Sequence, residues 1–311
     1  MIERPMDVLT HFPVRKSKQQ KEAFRQDVIS FVQNLGYPVT VEKGSMGAQN
    51  VVIGDAENAK YLITAHYDTP ASIGLPNVLT PCNPVTFVLW QILLVALLLV
   101  VSIAAAVVAR LLSGSGQVML AVWYIFYFGL LLLMMFGPAN INNANDNTSG
   151  VVTLLETAAA WPEDKRSKVC FVLFDLEEAG LIGSAAYRKA HKKATDNQIV
   201  LNLDCVGDGN EIVFFPTKKV KKNTEMMTIL REMNGSMGEK SVFVHEKGFS
   251  TYPSDQKNFP YGVGIAAFRR LKGIGLYVDR IHTWRDTVLD EKNVNYLRDT
   301  LLKLANGHAA E

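Results

Sequence analysis

Val169-Cys-Phe-Val-Leu-Phe-Asp-Leu-Glu-Glu-Ala-Gly180 decides how the rest of this 311-residue chain is read. Six consecutive apolar residues end at Phe174, and the carboxylates Asp175, Glu177 and Glu178 follow at once. A short run that is apolar at every position is the pattern of a strand covered on both faces. Carboxylates just beyond such a strand are expensive to bury unless they are paired, hydrogen-bonded or bound to a cation. The arrangement recurs outward from there. Residues 61–65 are a short apolar run ending in Ala65-His66-Tyr67-Asp68-Thr69, and residues 199–204 carry Asn202-Leu203-Asp204. Two further stretches, Ala144-Asn145-Asp146-Asn147-Thr148-Ser149-Gly150 and Ile281-His282-Thr283-Trp284-Arg285-Asp286-Thr287, read the same way and supply Asp146 and His282.

Between these clusters helix and strand patterns alternate, which indicates an α/β sandwich. Residues 18–35 read as an amphipathic helix, with Phe24, Val28, Phe31, Val32 and Leu35 at 3.6-residue spacing and Gly36 ending it. Strands are expected at residues 37–42, 50–53, 61–65, 169–174, 199–204, 211–215, 242–245 and 263–268. Helices are expected at residues 149–160, 180–192, 224–233 and 290–304, the last capped by Asp290. The polar clusters fall just after predicted strands, at the sheet edge where open α/β folds build their sites.

One region departs from that alternation. Residues 85–109 form an apolar run whose clearly polar members are Gln91 and Ser102, and residues 118–136 form a second run without a charge. As helices they would span roughly 37 and 28 Å, against about 30 Å of bilayer hydrocarbon. Residues 110–117, Arg-Leu-Leu-Ser-Gly-Ser-Gly-Gln, suit a tight turn. Both runs are apolar on every face rather than on one stripe, so a transmembrane hairpin is expected in place of a pair of buried soluble helices. Trp90, Trp123, Tyr124 and Tyr127 are candidates for interfacial depth. The chain thus divides into one α/β domain in two parts, residues 1–80 and 139–311, around a hairpin insertion at 81–138.

Thirty-two basic residues against thirty acidic ones leave a formal charge of +2, and no Lys/Arg stripe is interleaved with aromatics, which excludes a nucleic-acid partner. Cys82, Cys170 and Cys205 make neither a disulfide framework nor a CxxC pair, and predict a reducing compartment. Residues 1–18 have no apolar core and no cleavage site of a secretory signal. No Gly-x-Ser-x-Gly elbow and no His-Glu-x-x-His helix occurs. His11, His191 and His308 lie in polar surroundings and read as surface residues.

Taken singly, each motif has an ordinary structural explanation: a hydrogen-bonded histidine, a solvated acidic turn, an Asx-rich loop entering a helix. Together they deliver two imidazoles and several carboxylates. That mixed nitrogen and oxygen set suits zinc and also tolerates manganese or cobalt.

The five motifs, in this order, resemble the two-zinc aminopeptidases of the bacterial leucyl aminopeptidase type, a family that includes glutamate carboxypeptidases and glutaminyl cyclases. The resemblance covers nearly the whole chain outside residues 81–138. It implies a three-layer α/β/α sandwich around a mixed sheet, with His66 and Asp204 on one zinc, Glu178 and His282 on the other, and Asp146 bridging them. Glu177 then matches the general base, Asp68 the carboxylate that orients His66, and the Asp146–Asn147 peptide bond is expected to be cis. Asp286 is a candidate to orient His282, or else a structural cap.

The chain departs from the family pattern twice. Where relatives often have Ser-Asp-His it has Ser254-Asp255-Gln256, and Gln256 can donate a hydrogen bond but cannot titrate. The loop between the first two motifs carries the apolar hairpin, which would set the bilayer beside the site. Gln256, and Arg285 near His282, are candidates for substrate contact. The implied activity is a membrane-anchored metallo-aminopeptidase acting on peptides. A related carboxypeptidase, a glutaminyl cyclase (an activity that usually needs one metal) and a non-catalytic receptor or scaffold remain as alternatives. Both ends of a hairpin emerge on one side, and the unpaired cysteines point that side to the cytoplasm. Association of copies through the hairpin is an expectation without a Gly-x-x-x-Gly motif behind it.

Overall fold

In a computed structural model, described for residues 1–306, the strands form one mixed sheet. They are β1 (Val39–Lys43), β2 (Gln49–Gly54), β3 (Tyr61–His66), β4 (Val169–Phe174), β5 (Ile199–Leu203), β6 (Glu211–Pro216), β7 (Gly235–Met237), β8 (Lys240–Val244), β9 (Gly262–Leu271) and β10 (Gly275–Tyr277). Their order is β1-β2-β4-β3-β5-β9-β6-β8-β7, with β10 paired to β9. The central strands β4, β3, β5 and β9 run parallel, so their C-terminal ends share one edge. His308 lies outside the described residues.

Both faces of the central sheet are covered, which is why these strands are apolar throughout. Ile63, Phe171 and Leu201 face a core built with Phe24 and Val28 of helix Lys18–Asn34, Val151 and Leu155 of helix Gly150–Ala160, and Val294 and Leu297 of helix Glu291–Asn306. Leu62, Cys170, Val172 and Val200 face the opposite side, against Tyr187 of helix Ile182–Ala190 and Phe259. Each fully buried large apolar side chain contributes roughly 1.5–3 kcal/mol. A one-residue slip would exchange the two faces of a strand and lose that fit, so the register of β3 against β4 and β5 is held from both sides. Ser17 caps the first of these helices through a reciprocal box with Gln20, and Asp290 accepts the Lys292 amide at 2.9 Å at the start of the last.

The apolar helices run Pro84–Ser113 and Gly116–Phe136, longer than the runs that announced them, and the turn shrinks to Gly114-Ser115. Asn83 caps the first through the Thr86 amide, and Gly114 (φ 69°) ends it in the left-handed conformation that favours glycine. Both are long and apolar enough to cross a membrane by length and composition, with mean hydropathies of 3.2 and 2.3 in their most apolar windows. They are scarcely buried by the rest of the protein. Ser102 and Ala106 are the buried residues of the first helix, and Ser102 returns its hydroxyl to the Leu98 carbonyl at 2.7 Å.

Two expectations about placement are corrected. Strand ends supply His66, the Glu177–Glu178 pair and Asp204, but Asp146 comes from the loop entering helix Gly150–Ala160, and His282 from an irregular segment after β10. Strands β7 and β10, three residues each, carry no apolar run that would announce them.

Candidate metal centre

The site is assembled where chain leaves the parallel edge. Past β4 and β5 the backbone turns sharply through Leu176 (φ 56°) and Cys205 (φ 58°), and His282 itself sits at φ 60°. Left-handed backbone at residues other than glycine costs about 1–3 kcal/mol each and persists where the surroundings hold it in place. Here they do. Asp68 accepts the amides of Glu177 (3.0 Å) and Glu178 (3.2 Å), so one carboxylate on the β3 loop sets the β4 turn. The same Asp68 lies 3.4 Å from His66 Nδ1, a contact without hydrogen-bond alignment.

Asp146 is fixed through its neighbours. The amides of Asn145 and Asp146 donate to the two oxygens of Asp286, at 2.8 and 3.0 Å. Asn145 Oδ1 accepts from the Gly207 and Asp208 amides. Asn147 accepts from the amides of Gly150 and Cys205 and donates to the Leu203 and His66 carbonyls, tying the ends of β3 and β5 to the start of the helix. The Asp146–Asn147 peptide bond is cis.

With the backbone held this way, the side chains converge. Asp146 Oδ1 lies 3.3 Å from His66 Nε2, which is itself 3.7 Å from Asp204 Oδ1. Asp146 Oδ2 lies 3.1 Å from His282 Nε2, which is 3.5 Å from Glu178 Oε2. Two donor groups result, His66–Asp146–Asp204 and Asp146–Glu178–His282, each with its ligand atoms within 4.8 Å of one another. They share Asp146. Glu177 forms a third such group with His66 and Glu178.

The electrostatics show a site short of positive charge. Burial pushes Glu178 up to about 8, and raises Glu177 well above the usual carboxylate range. Burial works against protonation of His282, yet the carboxylates of Glu178 and Asp146 bring it up to about 9. Asp146 is held low because both imidazoles hydrogen-bond to it, against the effect of burial. Glu178 Oε1 is buried with no hydrogen-bond partner in the structure. A buried acceptor without a donor, inside a cluster of carboxylates and imidazoles, fits a divalent cation.

Other candidate residues sit elsewhere than expected. Gln256 is buried behind the sheet edge, where its amide donates to the Tyr252 carbonyl at 2.7 Å and accepts from Asn202 at 3.2 Å, and it does not line the pocket over the donor cluster. Arg285 pairs with Asp279 at 3.5 Å, away from the pocket wall. Asp286 binds the backbone of the Asp146 loop rather than the His282 ring. Two contributors were given no role by the sequence reading. Arg15 is fully buried, donates to the Tyr67 and Phe12 carbonyls, and places its charge near Asp68 and Asp146. Asp255 is fully buried beside the cluster, and burial pushes it up to about 7. A lone arginine in a polar N-terminal segment carries no signal in sequence; the Ser254-Asp255 pair did.

A pocket of about 360 Å³ opens over the cluster, lined by Asp146, Glu177, Glu178, Asp204 and His282. Phe87 and Gln91 of the first apolar helix line it as well.

The fold is similar to that of a glutaminyl cyclase from Porphyromonas gingivalis (TM-score 0.58, 15% identity, covering 95% of this chain and 93% of that one). It is similar in the same degree to a Zn-dependent exopeptidase from Parabacteroides distasonis (0.58, 15%, 96% and 94%). The LapA aminopeptidase of Legionella pneumophila also resembles it (0.58, 14%, 99% and 70%). No curated protein matches the chain. The profile of peptidase family M28 matches residues 134–304, more than half of the sequence and four of its five motifs. By that match the chain belongs to peptidase family M28, a family of zinc-dependent peptidases.

Proposed function

We propose that the chain is a membrane-anchored aminopeptidase that removes N-terminal residues from peptides with two zinc ions. The observation that carries this reading is the pair of donor groups meeting on Asp146, with Glu177 alongside in the same pocket. His66 and Asp204 would hold one ion, Glu178 and His282 the other, and Asp146 both. Zinc, when bound there, supplies the Lewis acidity that activates water and polarises the scissile carbonyl. Glu177 takes the proton from the water and delivers it to the leaving amine. Asp68 fixes the amides of Glu177 and Glu178, so base and ligand reach the one pocket from a single held turn.

The membrane anchor rests on two adjacent apolar helices that the rest of the protein leaves exposed, where core helices of a soluble protein would be buried. Both ends of the hairpin return to one catalytic domain, which therefore lies wholly on one side. We assign that side to the cytoplasm, consistent with free Cys82, Cys170 and Cys205.

The test is metal content together with hydrolysis of a panel of aminoacyl amides, for the wild type and for Glu177→Gln. Two zinc ions per chain with amide hydrolysis in the wild type, and retained zinc with turnover lower by roughly 10²–10⁴-fold in the variant, are expected. Cyclisation of N-terminal glutamine with one zinc per chain would replace this reading with the cyclase one.

A further inference from the structure

Gln91 is the only carboxamide between Pro84 and Gly116, and it sits on the wrong kind of helix for one. Ser102, the other clearly polar member of that run, satisfies its hydroxyl within its own helix. Gln91 is exposed, its amide has no hydrogen-bond partner among the described residues, and the residue lines the pocket over the candidate metal ligands. Phe87, one turn earlier on the same face and half-buried, lines it too. Gln91 lies seven residues beyond Pro84, roughly 10 Å along the helix axis. The pocket therefore continues from the donor cluster down the flank of the hairpin.

Unpaired polar groups beside a bilayer cost several kcal/mol each, and this applies to a carboxamide as well as to the main chain of an extended peptide. A carboxamide both donates and accepts, so it can satisfy one peptide unit. We propose that Phe87 and Gln91 form a subsite for the residues that follow the scissile bond in an apolar polypeptide lying against the bilayer. Gln91 pairs with the substrate main chain, and Phe87 packs on an apolar side chain. The apolar hairpin is then part of the substrate site as well as an anchor. This rests on the aminopeptidase reading for its direction, since the free amino end must be the end at the donor cluster.

The experiment uses the full zinc-loaded chain in phospholipid vesicles. Its substrates are leucine amide, which ends at the scissile bond, and a ten-residue Leu/Ala peptide with a free amino terminus. The ratio of kcat/KM for the long substrate to that for the short one is expected to fall about tenfold in Gln91→Leu, and to fall in Phe87→Ala. Leu89→Ala, on the opposite face of the same helix, should change it less than twofold. In parallel, the decapeptide with a C-terminal fluorophore is titrated against Glu177→Gln, with and without Gln91→Leu; a tenfold weaker Kd is expected with it. Gln91-dependent binding without amide hydrolysis would sink the aminopeptidase reading and keep the subsite. A ratio and a Kd that both stay within twofold of the parent on Gln91→Leu would overturn the subsite.

Discussion

Asp286 holds the main chain of Asp146: its Oδ2 accepts the Asp146 amide at 3.0 Å, while its Oδ1 accepts the preceding amide at 2.8 Å. Asp286 is almost fully buried, and burial, then the nearby charge of Asp146, pushes its carboxyl up to about 8. The residue works through position, because it fixes the backbone from which Asp146, common to both donor groups, projects. Outer partners of this kind typically govern 10–100-fold in metal affinity or activity.

Asp286→Asn turns one of those acceptors into an N–H pointing at an N–H. A roughly 10–100-fold loss of zinc affinity is expected, read by competition with a chromogenic chelator, with turnover falling in step. Circular dichroism should remain that of the parent. Wild-type zinc affinity in this variant would show that the Asp146 loop holds its shape without the clamp.

Gly150 tests the same scaffold from the other side. A Cβ there would stand 2.4 Å from Asn147 Oδ1 and 2.5 Å from the Leu203 carbonyl. Neither atom can give way cheaply, since Asn147 is held by hydrogen bonds to two amides and two carbonyls. Helix propensity alone would favour alanine by about 1 kcal/mol. Overpacking costs about 1–3 kcal/mol in an ordinary core, and the overlap here is with backbone, so the clash wins. Gly150→Ala should lower the melting temperature by several degrees and reduce activity by displacing His66 and Asp204. An unchanged or higher melting temperature would refute the steric argument.

Where the chain is regular, its pattern already contained the architecture. The apolar run 169–174, the spacing of Phe24, Val28 and Val32, and the two apolar runs after residue 84 each became the expected element. These signals are readable because burial on two faces, one face or none leaves different periodicities. The donor residues were readable as motifs, but their supports were not. Asp146 and His282 reach the cluster from loops, where no periodicity applies. Gln256 adjoins Asp255 in sequence, yet its amide is turned to Asn202 and Tyr252 behind the sheet edge. Arg15 arrives from 51 residues before His66 in the chain, and only the folded packing brings its charge behind Asp68.

His191 offers a pH test away from the cluster. Its two ring nitrogens face Glu57 and Glu42, an arrangement that only the doubly protonated ring can satisfy with donors on both sides. Burial would lower its pKa, but those two carboxylates raise it above the usual 6.5. The stabilisation is thus fully present below the unfolded value and is lost as pH rises through the raised folded value. For a pair near the surface it amounts to less than about 1 kcal/mol. The melting temperature of the wild type should exceed that of His191→Gln at pH 6, and the gap should narrow by pH 9. A gap that widens with pH would mean that the ring is bound neutral.

The tip of the hairpin tests the proposed membrane orientation. Ser113 is exposed at the end of the first apolar helix, one turn of chain from the start of the second. If both helices cross the bilayer, that tip emerges on the face opposite the catalytic domain, about 30 Å away. Cys170 and Cys205 are buried and Cys82 is partly covered on the catalytic side, so the native thiols make a low background. A membrane-impermeant maleimide added to intact cells should therefore label Ser113→Cys and leave the parent chain unlabelled. After the cells are opened, Cys82 becomes the only native thiol within reach. Labelling of the parent through Cys82 in intact cells, with no added labelling in Ser113→Cys until the cells are opened, would invert the orientation. Release of the whole chain by an alkaline carbonate wash would show that the hairpin lies on the membrane without crossing it.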